Sequence, residues 1–446
     1  MSQLKKDVQI TLLSRIPVML LSFLSVVFLM RLLGPEGNGV YTFTFAVLNL
    51  FFTVIGFQLE GTLPVFLARD KENTPGIFSA IGLLAFLSFI AFAVTLSIIV
   101  FLVPGGEQWV IPRDQPVMFF FLFLLIAFGL RRVSTLMLSV LRGLFRFQAF
   151  NAFMILNQSL PAVVYGVLLW LTVSGEQSIS LQQCFKAILL IETSLVLAGL
   201  LFFWRKKILS FSYSYSGYLK PISSLSFKSL LSASGHFLNK RLDVWFVQFY
   251  KGTAMLGQYG LATQVTNFIS DAMTPFNQVL IPYIAEASPE SHMEIVSRTA
   301  RLNMSIAIIA AVLIISTSWM FIPLLFGNEF KQAIPATQIL AIGIIFVSQR
   351  LVFTGYFKAI NLMQFPMQAS WTGVVMTVGL DIVLIPEFGI IGAAWATTIA
   401  YATTSLYLVH MAQKKLGFGL INILLLKKSD LTWLLSGKLK NQDIQP

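Results

Sequence analysis

Long apolar segments recur along the whole of this chain and leave little room for anything else. About twelve can be counted, near residues 10–30, 40–67, 77–103, 117–141, 149–171, 184–204, 225–249, 254–284, 302–325, 333–352, 367–385 and 389–410. A helix rises 1.5 Å per residue, so about 20 residues cross a hydrocarbon core about 30 Å thick. The pattern predicts an all-α polytopic membrane protein with about twelve transmembrane helices and no soluble domain.

The composition agrees with that class of protein. Of the 446 residues, 56% are hydrophobic and 11% are charged, whereas soluble domains carry about 25% charged residues. A net charge of +12 would indicate nucleic-acid binding in a soluble protein, but in a membrane protein its distribution indicates orientation instead. No nucleic-acid partner is therefore expected. The single Cys184 excludes an internal disulfide.

Basic residues are distributed unevenly between alternate loops. With the N-terminus inside, the cytoplasmic segments contain Lys5, Lys6, Arg69, Lys71, Arg142, Arg146, Arg205, Lys206, Lys207, Lys220, Arg298, Arg301, Lys358, Lys414 and Lys415. The outer loops hold little beyond Arg31, Arg113, Lys251 and Lys331. The positive-inside rule therefore places both termini in the cytoplasm. The first apolar run continues to Met30 without a small-residue cleavage site, which indicates a retained helix.

The two halves of the sequence resemble each other. When Gly39 is laid on Gly257 and the alignment is continued without a gap, several less common residues meet their own type. Gly34, Tyr41, Asn49 and Pro64 fall on Gly252, Tyr259, Asn267 and Pro282. Six spans separate the matched helices, so both halves run in the same direction. We therefore predict a parallel repeat of two six-helix lobes, at 1–204 and 225–411, with a cytoplasmic linker at 205–224 and a cytoplasmic tail at 412–446.

Ionisable residues inside spans are the main functional signal. Each charge at the centre of a span costs about 2.5 to 3.5 kcal/mol on insertion scales, so such residues normally face a bundle interior or an aqueous cavity. The basic ones are Arg15, Lys240 and Arg241, and the acidic ones are Glu60, Glu192, Asp243, Asp271 and Asp381. At 100° per residue, His236, Lys240 and Asp243 share one helix face, while Arg241 points elsewhere.

These residues allow more than one interpretation. Lys240 and Asp243 either face a cavity or neutralise each other at i, i+3. Arg15 has no acid at i+3 or i+4, which favours a role in binding substrate, because a guanidinium binds phosphate in a bidentate manner. Arg131 and Arg132 either snorkel to inner-leaflet headgroups or face the cavity mouth. Asp243, Asp271, Glu60 and His236 are candidates for ion coupling, although such a histidine is more often a satisfied polar residue than a proton carrier.

No pattern indicates catalysis. The chain has no Walker-type phosphate loop and no CxxC pair, and its three histidines are too scattered for a metal-ligand pattern. Neither an enzyme activity, a metal nor a cofactor is expected.

Four segments, taken in order, resemble a known family. They are Arg31-Leu-Leu-Gly-Pro-Glu-Gly-Asn-Gly-Val-Tyr41, Leu141-Arg-Gly-Leu-Phe-Arg-Phe147, Leu242-Asp243 with Gly257-Gln-Tyr-Gly-Leu-Ala262, and Phe388-Gly-Ile-Ile-Gly-Ala-Ala394. Together they are similar to the polysaccharide transporters of the multidrug/oligosaccharidyl-lipid/polysaccharide exporter superfamily, in particular the Wzx-type O-antigen and exopolysaccharide repeat-unit flippases. The resemblance covers about residues 8–411.

The resemblance implies a fold, a substrate and a place in the cell. The fold would be that of multidrug extrusion (MATE) and lipid II flippase (MurJ) transporters, a V-shaped pair of six-helix lobes in the bacterial inner membrane. The protein would carry a polyprenyl-pyrophosphate-linked oligosaccharide to the periplasmic leaflet by alternating access, for lipopolysaccharide or exopolysaccharide synthesis, alongside a polymerase or export machinery. Ser14-Arg15 is similar to a serine-arginine pair of the lipid II flippases, whose arginine belongs to a cationic cavity. We expect Arg15, Lys240 and Arg241 to hold the pyrophosphate.

The sequence departs from the lipid II flippases in two ways, and two alternative functions remain open. The chain lacks a two-helix extension of the lipid II flippases, and Gln264 stands near where a cavity arginine would fall, so lipid II is the less expected substrate. A cation-coupled multidrug antiporter of the same superfamily would share the spans, but cationic drugs call for acidic cavity residues. A membrane-embedded glycosyltransferase or ligase would need larger outer loops.

Overall fold

The fold is known from a computed structural model that describes residues 2–70, 72–175, 179–208, 215–286, 289–417, 419, 423 and 427. Within these ranges, the side chains at 2–16, 228, 232, 275–283, 285–286 and 289–290 are not described. The described part of the chain is helical almost throughout, as the apolar segments predict.

Seven helices form the first half. They are α1 (Ser2–Val54), α2 (Leu59–Arg69), α3 (Thr74–Ser97), the short α4 (Glu107–Val110), α5 (Val117–Gly143), α6 (Phe147–Val173) and α7 (Leu181–Arg205). A π-helical turn, Ile98–Leu102, extends α3. Ser180 begins α7 with a capping box, in which its hydroxyl accepts from the Gln183 amide and the Gln183 side chain accepts from the Ser180 amide.

Five helices form the described part of the second half. They are α8 (Ser216–Arg241), α9 (Asp243–Glu286), α10 (Pro289–Phe326), α11 (Ala333–Ala359) and α12 (Gln364–Leu416). A short 3₁₀ turn, Asn328–Phe330, precedes α11.

Three of the long helices are each two helices joined at a glycine. The non-helical residue is Gly34 in α1 (φ 60°, ψ −176°), Gly252 in α9 (φ 80°, ψ −179°) and Gly389 in α12 (φ 58°, ψ −134°). Glycine adopts positive φ without the steric cost that a Cβ imposes. In the described part of the chain these helices correspond to the twelve predicted spans when α2 is joined to the second part of α1, α8 is joined to the first part of α9, and the short α4 is left out. Gly34 and Gly252 are matched positions in the alignment of the two halves and share one conformation, which confirms the internal repeat.

The second predicted span, 40–67, is interrupted. Its first part belongs to α1, which ends at Val54, and its second part is α2, which begins at Leu59. Between the two helices, Phe57 (φ 61°) and Gln58 (φ 49°) have left-handed backbone conformations. Proline is the usual sequence signal for a broken helix, but Pro64 lies inside α2. The seventh predicted span is also interrupted, at Leu242 between α8 and α9.

The chain divides into two compact units. Unit 1 comprises Met1–Phe237 and Gly252–Gly257, and unit 2 comprises Leu238–Lys251 and Gln258–Pro446. Unit 1 has a core of buried residues such as Leu63, Ile77 and Phe203, and unit 2 has a core around Phe353 and Phe357. The division falls inside α8, after the predicted linker. Residues 209–214 of the predicted linker and most of the predicted tail lie outside the described residues.

Many large apolar side chains are exposed, which identifies the lipid-facing surface. Trp204 is 75% exposed, Trp170 63% and Leu313 57%, and soluble proteins rarely expose apolar surface continuously. Among the described residues, eight helices are long and apolar enough to cross a membrane. The protein is therefore a multi-pass membrane protein.

Candidate functional site

A polar pocket lies within unit 2, between α8, α9, α11 and α12. Its polar lining combines charged, hydroxyl and amide side chains, namely Lys240, Asp243, Thr263, Thr266, Asn267, Ser270, Arg350, Thr397 and Tyr401. Leu340, Ile344 and Val347 of α11 form the apolar part. A cavity with this lining can bind a ligand that carries both anionic and hydroxyl groups.

Two basic residues face this cavity. Lys240 lies one residue before the end of α8, and Arg350 lies in α11. The guanidinium of Arg350 lies 5.4 Å from the centroid of the Tyr401 ring, at cation–π distance. The Tyr401 ring therefore contributes to stabilising the Arg350 charge beside the cavity.

The carboxyl group of Asp243 is built into a hydrogen-bonded cluster. Asp243 is 3% exposed and is the first residue of α9, where the positive end of the helix dipole favours an acid. Its Oδ2 accepts from the Tyr259 hydroxyl at 2.5 Å and from Thr397 Oγ1 at 3.2 Å. Its Oδ1 has no hydrogen-bond partner among the described residues.

A second acid lies close to this cluster. Asp381 of α12 is 0% exposed, and neither of its carboxylate oxygens has a hydrogen-bond partner among the described residues. It interacts electrostatically with Asp243. One turn earlier, Thr377 donates to Asn239 Oδ1 at 3.3 Å, which ties α12 to α8. A buried carboxylate without donors is strongly disfavoured, so Asp381 calls for a proton or a bound cation.

Unit 1 has its own charged cluster at the interruption between α1 and α2. Arg132 donates to Glu60 Oε2 at 3.2 Å, and its guanidinium lies 4.5 Å from the Phe52 ring centroid. The Ser139 hydroxyl and the Arg142 guanidinium donate to the Glu60 carbonyl. Arg131 lies 5.3 Å from the Phe52 ring and interacts electrostatically with Glu192. Arg132 is thus buried at 3% exposure and paired.

The structure brings together only part of the predicted site. Lys240 and Asp243 line the same cavity. Arg241 is half-buried at the end of α8 and is not among the lining residues, and Asp271 and His236 are exposed. Arg15 lies in α1, but its side chain is outside the described part of the chain.

Sequence reasoning gave no role to four residues of this site. Arg350 lies at the end of the tenth predicted span, where a basic residue is explained by snorkelling, and Asp381 is one of several intramembrane acids. Tyr259 and Thr397 are ordinary polar residues in apolar segments. One signal was available for Tyr259, because it matches Tyr41 in the internal repeat.

Comparison with known proteins identifies relatives of this chain. The family described as polysaccharide biosynthesis protein matches residues 4–288. The probable low-salt glycan biosynthesis flippase Agl15 of Haloferax volcanii is 23% identical over 399 residues, which cover 87% of this chain and 79% of that protein.

Solved structures share the fold. An inward-facing multidrug resistance MATE family transporter of the MOP superfamily superposes with a TM-score of 0.70 at 14% identity, covering 90% of this chain and 94% of that one. The lipid II flippase MurJ in an inward closed conformation gives a TM-score of 0.64 at 15% identity, covering 95% and 93%. At these identities the likeness establishes the fold, two six-helix lobes, and nothing finer.

Proposed function

Because this chain belongs to the polysaccharide biosynthesis protein family, we propose that it is a flippase for a lipid-linked oligosaccharide. The carrier is a polyprenyl pyrophosphate, the cargo an O-antigen or exopolysaccharide repeat unit, and the membrane the bacterial inner membrane, with both termini in the cytoplasm. Alternating access moves the headgroup while the lipid tail stays in the bilayer. The protein acts as a transporter and not as an enzyme, and it supplies a polymerase or export machinery.

The cavity in unit 2 is the observation that carries this proposal. Lys240 and Arg350 supply two positive charges suited to a pyrophosphate. Thr263, Asn267 and Ser270 supply hydroxyl and amide groups suited to sugars. Arg15 and Arg241 are proposed as further cations, on the sequence argument alone.

Proteoliposomes test the proposal. The rate at which a polyprenyl-pyrophosphate oligosaccharide becomes accessible from the opposite leaflet is measured for the wild type, Lys240→Ala, Arg350→Ala and Arg15→Ala. Loss of one charge-assisted hydrogen bond to phosphate, worth about 1.5 to 3 kcal/mol, slows flipping by about tenfold or more at subsaturating substrate. The matched control is Arg298→Ala, because Arg298 forms a helix-surface pair with Glu294 at 2.6 Å.

Two outcomes would contradict this proposal. Flipping no faster than in protein-free vesicles, for several oligosaccharides, would exclude the flippase. Efflux of a cationic dye by the same vesicles would then support the multidrug antiporter. Equal slowing by Arg298→Ala would exclude a specific role for the two cavity cations.

We further propose that Asp243 and Asp381 bind the coupling cation, a proton or Na⁺. Asp381 is fully buried, and the two acids with the Tyr259 and Thr397 hydroxyls supply oxygen ligands, which hard cations prefer. Glu60, Asp271 and His236 were also candidates for coupling, but Glu60 is paired with Arg132 and the other two are exposed.

Ion gradients test this second proposal. We expect flipping in vesicles to accelerate with an inward proton or Na⁺ gradient, and Asp381→Asn and Asp243→Asn to abolish that acceleration. Asp114→Asn, at an exposed aspartate between α4 and α5, is the matched control and should retain it. Transport indifferent to both gradients would remove the coupling role while leaving the flippase intact.

A further inference from the structure

An apolar groove lies within unit 1, between α5, α6 and α7. Its apolar lining comes from all three helices, namely Met137, Leu138, Leu141, Phe153 and Leu195. Ser134 and Asn157 supply its two polar groups. Most of these side chains are half-buried, so the groove opens at the surface of unit 1. The proposed binding of substrate in unit 2 gives this groove no role.

The groove has the depth of one leaflet of a bilayer. The end of α5, the start of α6 and the end of α7 lie together, because a short turn joins α5 to α6 and the ring centroids of Phe153 and Phe202 are 5.5 Å apart. The deepest lining residues of the three helices are Ser134, Asn157 and Leu195. Each lies nine or ten residues from that end of its helix, which is about 15 Å at 1.5 Å per residue. Half of a hydrocarbon core about 30 Å thick is also about 15 Å.

Exposed basic residues surround the same helix ends. Arg146 precedes α6, and α7 ends in a run of three, Arg205, Lys206 and Lys207. None of the four forms an ion pair within the described part of the chain. Trp204, which is 75% exposed, lies beside the run, and exposed tryptophans are enriched at the level of lipid headgroups. The groove therefore has positive charge at headgroup level and apolar side chains at the level of acyl chains.

We propose that this groove binds an anionic phospholipid, with its phosphate at Arg146 and Lys206 and one acyl chain along Met137, Phe153 and Leu195. Clustered basic residues attract an anionic headgroup and repel the ammonium group of a zwitterionic one. A polyprenyl chain would extend well beyond the deepest lining residues, so the groove fits a phospholipid better than the lipid-linked substrate. In the orientation proposed above, this lipid belongs to the inner leaflet. Binding of the lipid does not depend on the flippase proposal.

Trp204 reports binding at the headgroup end. The protein is titrated in mixed micelles with phosphatidylglycerol or phosphatidylcholine that carries brominated chains, which quench tryptophan fluorescence on contact. The fluorescence absent from Trp204→Phe isolates this reporter. We expect half-quenching at a mole fraction of phosphatidylglycerol about tenfold lower than that of phosphatidylcholine. Arg146→Gln and Lys206→Gln should each reduce the preference about fivefold.

The matched control for the charges is Lys415→Gln, because Lys415 is an exposed basic residue at the end of α12 in unit 2. It should leave the preference unchanged. Equal half-quenching fractions for the two lipids, or an equal loss of preference in Lys415→Gln, would overturn the proposed headgroup site.

Gly199→Ala tests the acyl-chain end. A Cβ on Gly199 would lie 1.8 Å from the Met137 methyl group, so alanine displaces a side chain that lines the groove. Quenching by both lipids should weaken about fourfold for each methylene group excluded. Gly82→Ala is the matched control and should change nothing, because a Cβ there would meet no atom within 4 Å. If Gly199→Ala fails to fold, Ser134→Leu, which adds apolar volume at the deep end, replaces it.

The nature of the chain is tested by competition. Unbrominated phosphatidylglycerol should displace its brominated form more effectively than a polyprenyl phosphate does. Stronger displacement by the polyprenyl phosphate would overturn the phospholipid as occupant, and unchanged quenching in Gly199→Ala and Ser134→Leu would overturn the acyl-chain site. Flipping is not measured here, so failure of the flippase proposal is distinguishable from failure of this one.

Discussion

At the scale of single residues, the ion pair between Arg132 and Glu60 is asymmetric in burial. The Arg132 side chain is 4% exposed and that of Glu60 22%. Nε and Nη2 of Arg132 have no hydrogen-bond partner among the described residues, so Glu60 and the face of Phe52 account for most of the stabilisation of this charge. Removing Glu60 would leave a buried guanidinium without a counter-charge.

We predict that Glu60→Ala lowers the free energy of unfolding by about 3 to 5 kcal/mol, the range for breaking a buried pair. Thermal unfolding in detergent measures it. The control is Glu294→Ala, which breaks the i, i+4 pair with Arg298, where Glu294 is 58% exposed. There the expected loss is about 0.3 to 0.5 kcal/mol. Equal losses in the two variants would show that Arg132 does not depend on Glu60.

At the scale of helices, the interruption between α1 and α2 depends on one small residue. A Cβ on Gly56 would lie 1.9 Å from the Phe52 carbonyl oxygen and 2.4 Å from Arg132 Nη2. The turn and the buried arginine therefore require the same glycine.

Gly56→Ala should destabilise the protein by about 1 to 3 kcal/mol, the usual cost of overpacking. Further along, a Cβ on Gly61 in α2 would meet nothing within 4 Å. Gly61→Ala should therefore stabilise the protein by about 0.4 to 1 kcal/mol, through the lower entropy of the unfolded chain. The two midpoints of thermal unfolding in detergent should move in opposite directions, and a shared direction would contradict the prediction.

A second helix contact depends on pH. The Tyr218 hydroxyl of α8 donates to Asp70 Oδ2 at the end of α2, and together with the Asn73 side chain it lowers the pKa of Asp70 below its ordinary 3.8. A lowered carboxyl pKa contributes stability above 3.8, which is lost as the pH falls through the lower folded-state pKa. We predict that Tyr218→Phe is less stable than the wild type at neutral pH, and that the difference shrinks as the pH falls below 3.8. A difference independent of pH would assign the effect to packing.

At the scale of the whole molecule, the proposed orientation puts the N-terminus in the cytoplasm. A loop that follows an odd number of spans then lies outside, and a loop that follows an even number lies inside. The loop at 103–116 follows three spans and the segment at 69–74 follows two. In the proposed orientation, alkaline phosphatase fused after Gln115 is active because it is exported, and after Asp70 it is inactive. Activity at both positions or the reverse pattern would overturn the orientation.

The helices and the repeat could be read directly from the amino-acid order, because apolar length and the match between the two halves are local or additive properties of a sequence. The alignment of the two halves also showed Gly34 and Gly252 as matched positions. It did not show that the helices break there, and a proline such as Pro64 is the more obvious place for a break.

The functional cluster depends on packing between distant segments. Asp243 meets Thr397 from 154 residues away, and Arg350 comes to the same cavity as Lys240 only when α11 packs beside α8 and α9. Helical spacing relates residues three or four apart and carries no information about which face of one helix meets another.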